Sequence, residues 1–270
     1  MQEKPLIFDD TTLVVTTYNK PVFLELVLKG IMRQRGLPCE VIVADDGSKD
    51  ETRKLIERYQ SIFPVPLIHS WIPDEGFRLS MSRNVAIAKA KGDYIIFIDG
   101  DIVVSPTFVQ DHVMAREKGY FINGSRARLT EKATRRHCAT MNPKFSVFTK
   151  GLRRPLVMLR LPWLHRIVKG AKGIEKIRGC HMSFWKSDLL TVNGFEERIT
   201  GWGCEDTELV DRLYNAGVKR KNIKGLAPCV HLYHPKSAAN YETHKANILI
   251  REETERLGKI RADKGVDQYL

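Results

Sequence analysis

A regular alternation of short apolar runs with amphipathic segments, through the first half of the chain, constrains the fold most. The apolar runs are typical of strands and cover 13–19, 40–48, 66–72, 94–98 and 119–126. The segments between them repeat apolar residues every three or four positions, which is the period of a helix. Apolar strands that alternate with helices form a sheet buried on both faces. The pattern therefore predicts an α/β fold, with a mostly parallel central sheet and helices on both faces.

Local signals indicate where some of these elements begin and end. Ser48 and Glu51 have the spacing of a capping box, and Ser105 stands before a proline as a candidate N-cap. In the second half, "IRGCHMSFWKSDLL" predicts a strand that leads into a helix, and "VHLYHPKS" (230–237) predicts a short strand that ends in two histidines. Residues 241–265 are charged and rich in helix formers, so we expect an exposed helical tail there.

Polar residues directly follow three of the predicted strands. They are "TTYN" (16–19), "ADDGS" (44–48) and "DGD" (99–101). In parallel sheets covered by helices, ligands bind outside the carboxyl ends of the strands. The sequence therefore predicts a ligand-binding edge that these three segments share.

Asp99 and Asp101 flank Gly100 at the end of one buried strand. Side chains alternate along a strand, but a turn at Gly100 would let both carboxylates reach one hard cation. Mg²⁺ and Mn²⁺ commonly bind through one or two carboxylates together with substrate phosphates. A plain turn is the alternative. No G-x-G-x-x-G follows the first strand and no P-loop is present, so metal and side chains would have to hold a diphosphate.

One segment accounts for the net charge of +12. Between Arg126 and Arg178, fifteen of the 44 basic residues stand against two of the 32 acids, a balance of +13, and the rest of the chain carries −1. Apolar residues are interleaved with this charge: Leu161, Trp163, Leu164, Ile167 and Val168. Pro155 and Pro162 interrupt any long helix.

The basic segment suits several partners. Nucleic acid is disfavoured because no recognisable nucleic-acid module is present. An anionic membrane surface would accept the basic side chains among its headgroups and the apolar ones below them. An acidic acceptor glycan and a solvated insert without a partner also remain open. We favour a membrane surface or a lipid-linked acceptor.

The cysteines and the first residues bear on location. The five cysteines are scattered and lack CxxC spacing, which indicates reduced thiols. "MQEKPLIFDD" does not have the pattern of a secretory signal, and no apolar run reaches eighteen residues. We expect a cytoplasmic protein that lies peripherally at the inner face of the membrane.

Four motifs occur together in order: "TTYNK", "VIVADDGSKDET", "SRNVAIAKAKGDYIIFIDGD" and "GWGCEDTEL". This set resembles the family 2 glycosyltransferases, which have the GT-A (nucleotide-diphospho-sugar transferase) fold. With "CVHLYH", the last motif is most similar to chondroitin-type polymerases and β-1,4-galactosyltransferases. The resemblance implies a GT-A domain over 1–240 and a helical C-terminal tail over 241–270. Within the domain, it implies a nucleotide-sugar-binding half (11–125), a basic insert (126–176) and an acceptor and catalytic half (177–237).

The resemblance implies that the nucleoside pocket lies beside the first two strands. Thr16, Tyr18 and Asn19 would line this pocket. Asp46, with Asp45 nearby, would bind the uracil or the ribose.

The resemblance also assigns the diphosphate side of the donor. Asp99, with Gly100, would contact the donor ribose. Arg78 and Arg83 would meet the diphosphate or its nucleoside. For Arg83, a solvated helix face is the alternative.

Three residues would bind the cation, which is Mn²⁺ or Mg²⁺ by this resemblance. Asp101 is the second acid of the family's DxD motif. His234 falls where a galactosyltransferase has a metal-binding histidine, and His231 falls where it has a second ligand. Two histidines three apart on a strand face opposite sides, so a bend is required; histidines satisfied in the core are the alternative.

"GWGCEDTEL" carries the chemistry in this resemblance. Asp206 matches the family's catalytic base, which takes the proton of the acceptor hydroxyl as the bond forms. Glu205 would bind the acceptor or the donor sugar. Trp202 offers an apolar face to a sugar ring, and Gly203 would let the loop move. Acids that only complement a helix dipole are the alternative.

Together these features predict a metal-dependent, inverting glycosyltransferase. It would move a sugar from a nucleotide-sugar donor, a UDP-sugar by preference, to a glycan or a lipid-linked acceptor in surface polysaccharide synthesis. One alternative is a sugar nucleotidylyltransferase. Another is a basic RNA- or lipid-binding protein on an inactive sugar-nucleotide fold.

Overall fold

The computed structural model describes residues 6–164, 173–235 and 240–270. Its strands are β1 (Leu6–Thr17), β2 (Gly36–Asp45), β3 (Leu67–Trp71), β4 (Tyr94–Asp99), β5 (Ile102–Val104), β6 (Tyr120–Asn123), β7 (Ala127–Leu129), β8 (Leu152–Arg153), β9 (His181–Trp185), β10 (Lys219–Asn222) and β11 (Cys229–His231). Its α-helices are α1 (Pro21–Ile31), α2 (Asp50–Gln60), α3 (Leu79–Lys89), α4 (Phe108–Ala115), α5 (Glu131–Thr140), α6 (Lys186–Thr191), α7 (Glu205–Asn215) and α8 (Tyr241–Leu257). Two 3₁₀ helices cover Pro155–Met158 and Val266–Tyr269.

A seven-stranded sheet forms the centre, in the order β10-β6-β9-β4-β1-β2-β3. Neighbouring strands are parallel except at β9, which runs antiparallel to both β4 and β6. Leu13 and Val15 pack in one apolar core, and Val14 packs in the other, so β1 is buried on both faces. The predicted α/β architecture with a mostly parallel sheet is confirmed.

A smaller four-stranded sheet, in the order β5-β11-β7-β8, lies beyond the end of β4. The chain passes from the large sheet to the small one within the two residues Gly100 and Asp101. β11 runs antiparallel to β5 and parallel to β7. The small sheet therefore brings β11 next to the end of β4, although the two are far apart in sequence.

Two predicted helix caps are wrong, because the hydroxyls have no capping contact. Lys49 is the N-cap of α2, and the Ser48 hydroxyl instead accepts a hydrogen bond from the Asn19 N–H at 2.8 Å. Thr107 is the N-cap of α4, since Ser105 still follows β5 and donates its N–H to the Pro228 carbonyl.

The C-terminal residues are helical over α8, as predicted, but they are not an exposed tail. Asn247 and Thr254 of α8 are buried. After α8 the chain returns to the large sheet, where Val266 lies in the second core and donates its N–H to the Asn193 carbonyl. The division of the chain into a domain and a tail stays a prediction.

The described part of the basic segment forms β7, α5, β8 and the first 3₁₀ helix. The proposed apolar contributors Ile167 and Val168 lie outside the described residues. All five cysteines are free. Within the described ranges, no helix has the length and apolarity needed to cross a bilayer.

Candidate active site

Asp101, His231 and His234 gather where the two sheets meet. The His234 Nε2 lies 3.0 Å from one Asp101 carboxylate oxygen, and the His231 Nε2 lies 3.6 Å from the other. The strand ends at His231, so the following turn supplies the bend that the two histidines required. The donor atoms of the three residues all lie within 4.8 Å of one another.

The donor set of this cluster fits a divalent cation. The Asp101 Oδ1 is buried and has no hydrogen-bond partner, which leaves it available as a ligand. Burial favours a higher pKa for Asp101, but the hydrogen bond from His234 and the charge of His231 outweigh it and lower that pKa. One ionised carboxylate with two imidazoles suits Mn²⁺ better than Mg²⁺, which prefers oxygen ligands.

Asp99 lies beside the cluster and receives two donors. The Thr16 hydroxyl donates to its Oδ1 at 3.0 Å, and the Arg83 Nη2 donates to the same oxygen at 3.3 Å. Gly100 is required at the turn, because an added Cβ would stand 2.6 Å from the Thr16 carbonyl oxygen. Asp99 is therefore held at the strand end with its second oxygen open.

Arg83 is 1% exposed, so the solvated-face alternative is wrong. Its guanidinium packs over the Phe195 ring at 5.0 Å. Its Nη1 lies 3.6 Å from the Glu205 Oε1, while its Nη2 faces Asp99. A buried arginine thus joins the "DGD" turn to the "GWGCEDTEL" loop.

The loop before α7 presents Glu205 and Asp206 at the first turn of that helix. Gly201, Gly203 and Cys204 all have positive φ, at 68°, 101° and 73°. The Asp206 Oδ2 accepts a hydrogen bond of 2.8 Å from the Gly179 N–H.

Gly179 permits this approach, because a Cβ there would stand 3.2 Å from the Asp206 Cβ. Sequence reasoning missed Gly179. A glycine just before a strand is a sign of close backbone approach and was the available signal.

The surroundings of Glu205 favour its protonated form. Burial, reinforced by the charge of Asp206 and opposed by Arg83, raises the pKa of Glu205 to about 7. The Glu205 carboxyl therefore gains and loses its proton near neutral pH. The Asp206 carboxylate is held by the hydrogen bond from the Gly179 N–H.

Asp45 and Asp46 differ in what they leave open. Asp45 is buried and engaged by the His69 Nε2 and the Ser48 N–H, both at 2.8 Å. Asp46 accepts the Arg78 N–H at 2.9 Å, but its Oδ1 is buried without a partner. Burial raises the pKa of Asp46 to about 6. Of these two acids, Asp46 therefore has a carboxylate oxygen available to a ligand.

Tyr18, Asn19 and Arg78 were also predicted to bind the nucleotide-sugar donor, and their side chains contact neighbouring loop residues. Tyr18 is exposed and donates to Asp74 at 3.2 Å. Asn19 accepts the Lys49 N–H through its side chain and so fixes the loop between β1 and α1. The Arg78 guanidinium pairs with Glu75 at 2.8 Å and donates to the Pro73 carbonyl at 3.0 Å.

Trp202 is exposed at the tip of the loop, with its ring 5.6 Å from that of His244. From α8, the Asn247 amide donates to the carbonyls of Thr200 at 2.8 Å and Gly203 at 3.1 Å. Sequence reasoning missed this support, because no local pattern distinguishes Asn247 from other polar residues of α8.

Comparisons with known proteins identify the family of this chain. Residues 12–165 match the family described as "Glycosyl transferase family 2", and 168–235 match the "N-terminal domain of galactosyltransferase". Chondroitin synthase of Escherichia coli is 26% identical over 239 residues, which cover 82% of this chain. The chain spans about a third of that relative's length (34%).

Two solved structures show the fold. The structure of S. aureus TarS in complex with UDP has a TM-score of 0.61 at 15% identity and covers 96% of this chain and 68% of that one. GalNAc-T7 with UDP, GalNAc and Mn²⁺ also has a TM-score of 0.61, at 16% identity, with coverage of 94% and 48%. This fold is GT-A. Because the family match covers more than half of the 270 residues, the chain belongs to glycosyl transferase family 2.

Proposed function

We propose that this chain is a metal-dependent, inverting hexosyltransferase that moves a sugar from a UDP-sugar to a glycan or lipid-linked acceptor. The observation that carries the proposal is the convergence of two sites at one sheet edge. The Asp101, His231 and His234 cluster lies beside Asp99, and Arg83 links Asp99 to the loop that bears Glu205 and Asp206. A cation site and a candidate base are thus joined by one buried side chain.

The residues divide the work between donor and acceptor. Asp101, His231 and His234 would hold Mn²⁺ or Mg²⁺, which when bound neutralises the charge of the departing diphosphate. Asp206 takes the proton of the acceptor hydroxyl as that oxygen displaces the nucleotide. The Gly179 N–H, at 2.8 Å, fixes the orientation of the Asp206 carboxylate. One base facing one displaced group gives inversion in a single step.

The donor side rests on the free oxygens of Asp46 and Asp99. Asp46 binds the uracil or ribose with its unpartnered Oδ1, and Asp45 supports that loop through Ser48 and His69. TarS and GalNAc-T7 have been solved with UDP, which supports a UDP-sugar. Chondroitin synthase, a relative in sequence, supports a glycan acceptor and a role in surface polysaccharide synthesis.

Nucleotide binding that depends on metal tests the proposal. We expect UDP with Mn²⁺ to raise the melting temperature by about 5 °C or more, since a ligand at a hundred times its Kd adds about 2.7 kcal/mol. UDP with a chelator should give almost no shift. Differential scanning fluorimetry with UDP, GDP, CDP and ADP measures both the metal and the base preference.

The same scan separates the alternatives. A nucleotidylyltransferase would be stabilised by a nucleoside triphosphate and would release pyrophosphate from it. That activity needs a glycine-rich, basic loop after the first strand. This chain instead has "TTYNKP" at 16–21, which argues against it. Indifference to every nucleotide, together with salt-sensitive RNA binding, would instead indicate a binding protein on an inactive fold.

We also propose that the basic segment holds the enzyme on the inner, anionic face of the cytoplasmic membrane. Residues 126–164 carry ten Lys or Arg and one acid. The three most exposed apolar side chains of these residues are Phe148 at 90%, Leu156 at 75% and Trp163 at 59%. Bases that surround exposed aromatic residues suit a headgroup layer.

We expect the double variant Phe148→Ser, Trp163→Ser to bind anionic vesicles about tenfold more weakly, because its apolar insertion is lost. Co-sedimentation with phosphatidylserine-containing and neutral vesicles measures the effect. Ile62→Ser is the matched control, since Ile62 is 59% exposed at the end of α2 and outside the segment. Equal binding by the parent and the double variant would contradict the membrane role.

A further inference from the structure

Arg126 leaves the carboxyl end of β6, at the edge where the active site lies. Its backbone is held against the start of β9, because the Gly124 N–H donates to the His181 carbonyl at 2.9 Å. The chain then enters β7, whose Ala127 pairs with Val230 in the register of β11. Arg126 is thus fixed between the residues that precede β9 and the strand that ends in His231.

The guanidinium of Arg126 contacts Cys180, which lies just before β9. Its Nη1 lies 2.8 Å from the Cys180 Sγ, and its Nε is buried without a hydrogen-bond partner. Cys180 directly follows Gly179, where an added Cβ would stand 3.4 Å from the Arg83 Nη2 and 3.2 Å from the Asp206 Cβ. Through Cys180, Arg126 therefore lies next to Gly179, whose N–H donates to the candidate base Asp206.

The charge of Arg126 has no counterion among the residues described. Among the more deeply buried arginines, Arg83 pairs with Asp99 and Arg212 pairs with Glu208, whereas Arg220 has only the Glu175 carbonyl as a partner in the part of the chain described. Burial raises the pKa of the Cys180 thiol well above its usual value, so this neighbour is neutral. The buried Nε of Arg126 is costly to leave without an acceptor.

We propose that Arg126 binds an oxyanion of the substrate, either the donor diphosphate or a carboxylate of an acidic acceptor sugar. Both present a pair of oxygens that match the planar fork of a guanidinium. Nη1 is held by Cys180, and the Nε is the atom of the fork that still lacks an acceptor. This inference rests on the proposed function for the identity of the substrate, but anion binding can be measured without sugar transfer.

Arg126→Gln and Arg126→Met test the inference, with Arg128→Gln as the matched control. Arg128 lies two residues further on, in β7, and its side chain is exposed. Isothermal titration with inorganic pyrophosphate and with UDP, at saturating Mg²⁺, measures the affinity of each variant. Steady-state kinetics then compare KM for an acceptor that bears a uronate with KM for a neutral one.

Loss of a charged hydrogen-bond pair corresponds to about a tenfold fall in affinity or more. A fall for pyrophosphate and UDP in the Arg126 variants, but not in Arg128→Gln, supports the diphosphate. Unchanged UDP affinity with a raised KM for the uronate acceptor alone supports the carboxylate.

Unchanged values throughout overturn the inference. It also fails if both variants are unfolded at 25 °C, because the residue is then structural. If the parent protein binds pyrophosphate through Arg126 but transfers no sugar, the proposed function is wrong and the oxyanion site is still supported.

Discussion

Asp206→Asn lowers the rate of sugar transfer by about a hundredfold or more, the range expected when a general base is removed. The amide has nearly the shape of the carboxylate, and its carbonyl oxygen can still accept the Gly179 N–H. It cannot take a proton from the acceptor. We therefore expect an unchanged melting temperature and an unchanged affinity for UDP. Nucleotide release at saturating donor and acceptor measures the loss.

Two companion variants make this result specific. Asp211→Asn, on the same helix, removes an acid that pairs with Arg251 at 2.8 Å away from the base, and should keep the parental rate. Glu205→Gln tests the neighbouring acid, whose pKa is raised to about 7 by burial and by Asp206. Full activity in Asp206→Asn with inactive Glu205→Gln would transfer the role of base to Glu205.

Loss of one imidazole ligand should be nearly as severe. We expect His234→Ala to weaken Mn²⁺ binding by about a hundredfold, since even changes behind the ligands cost ten- to a hundredfold. The donor set then keeps only Asp101 and His231, which lie 3.6 Å apart. The metal-dependent stabilisation by UDP should disappear in parallel.

Electron paramagnetic resonance of free Mn²⁺ gives the affinity directly. His137→Ala is the control, because His137 lies on α5 and bonds the Asn142 carbonyl at 2.9 Å. A His234→Ala protein that retained the parental affinity for Mn²⁺, or UDP stabilisation in a chelator, would remove the cation from the proposed mechanism.

The large sheet, and the polar residues that follow its strands at one edge, were predictable because both depend on local patterns. The run Tyr94 to Ile98 is short, apolar and bounded by polar residues, which favours a buried strand, and the acids that follow it mark where that strand ends. The positions of Asp99 and Asp101 follow from the strand alone.

The supporting contacts were not predictable, because they join distant parts of the chain. Gly179 contacts Asp206 at a sequence separation of 27 residues, and Asn247 contacts Thr200 at a separation of 47. Contacts at such separations produce no periodic pattern in the sequence. The Ser48 prediction failed for the same reason. Its hydroxyl has a partner 29 residues away, which competes with the local cap.

Cys204 stands directly before the two acids with φ at 73°, a region that costs an L-residue about 1 kcal/mol. A glycine there would be free of that cost, but it would also sample many more backbone shapes. Cys204 therefore costs some folding free energy and restricts the backbone conformations available directly before the two acids. The first turn of α7, which bears Glu205 and Asp206, is therefore held in fewer orientations than a glycine at position 204 would allow.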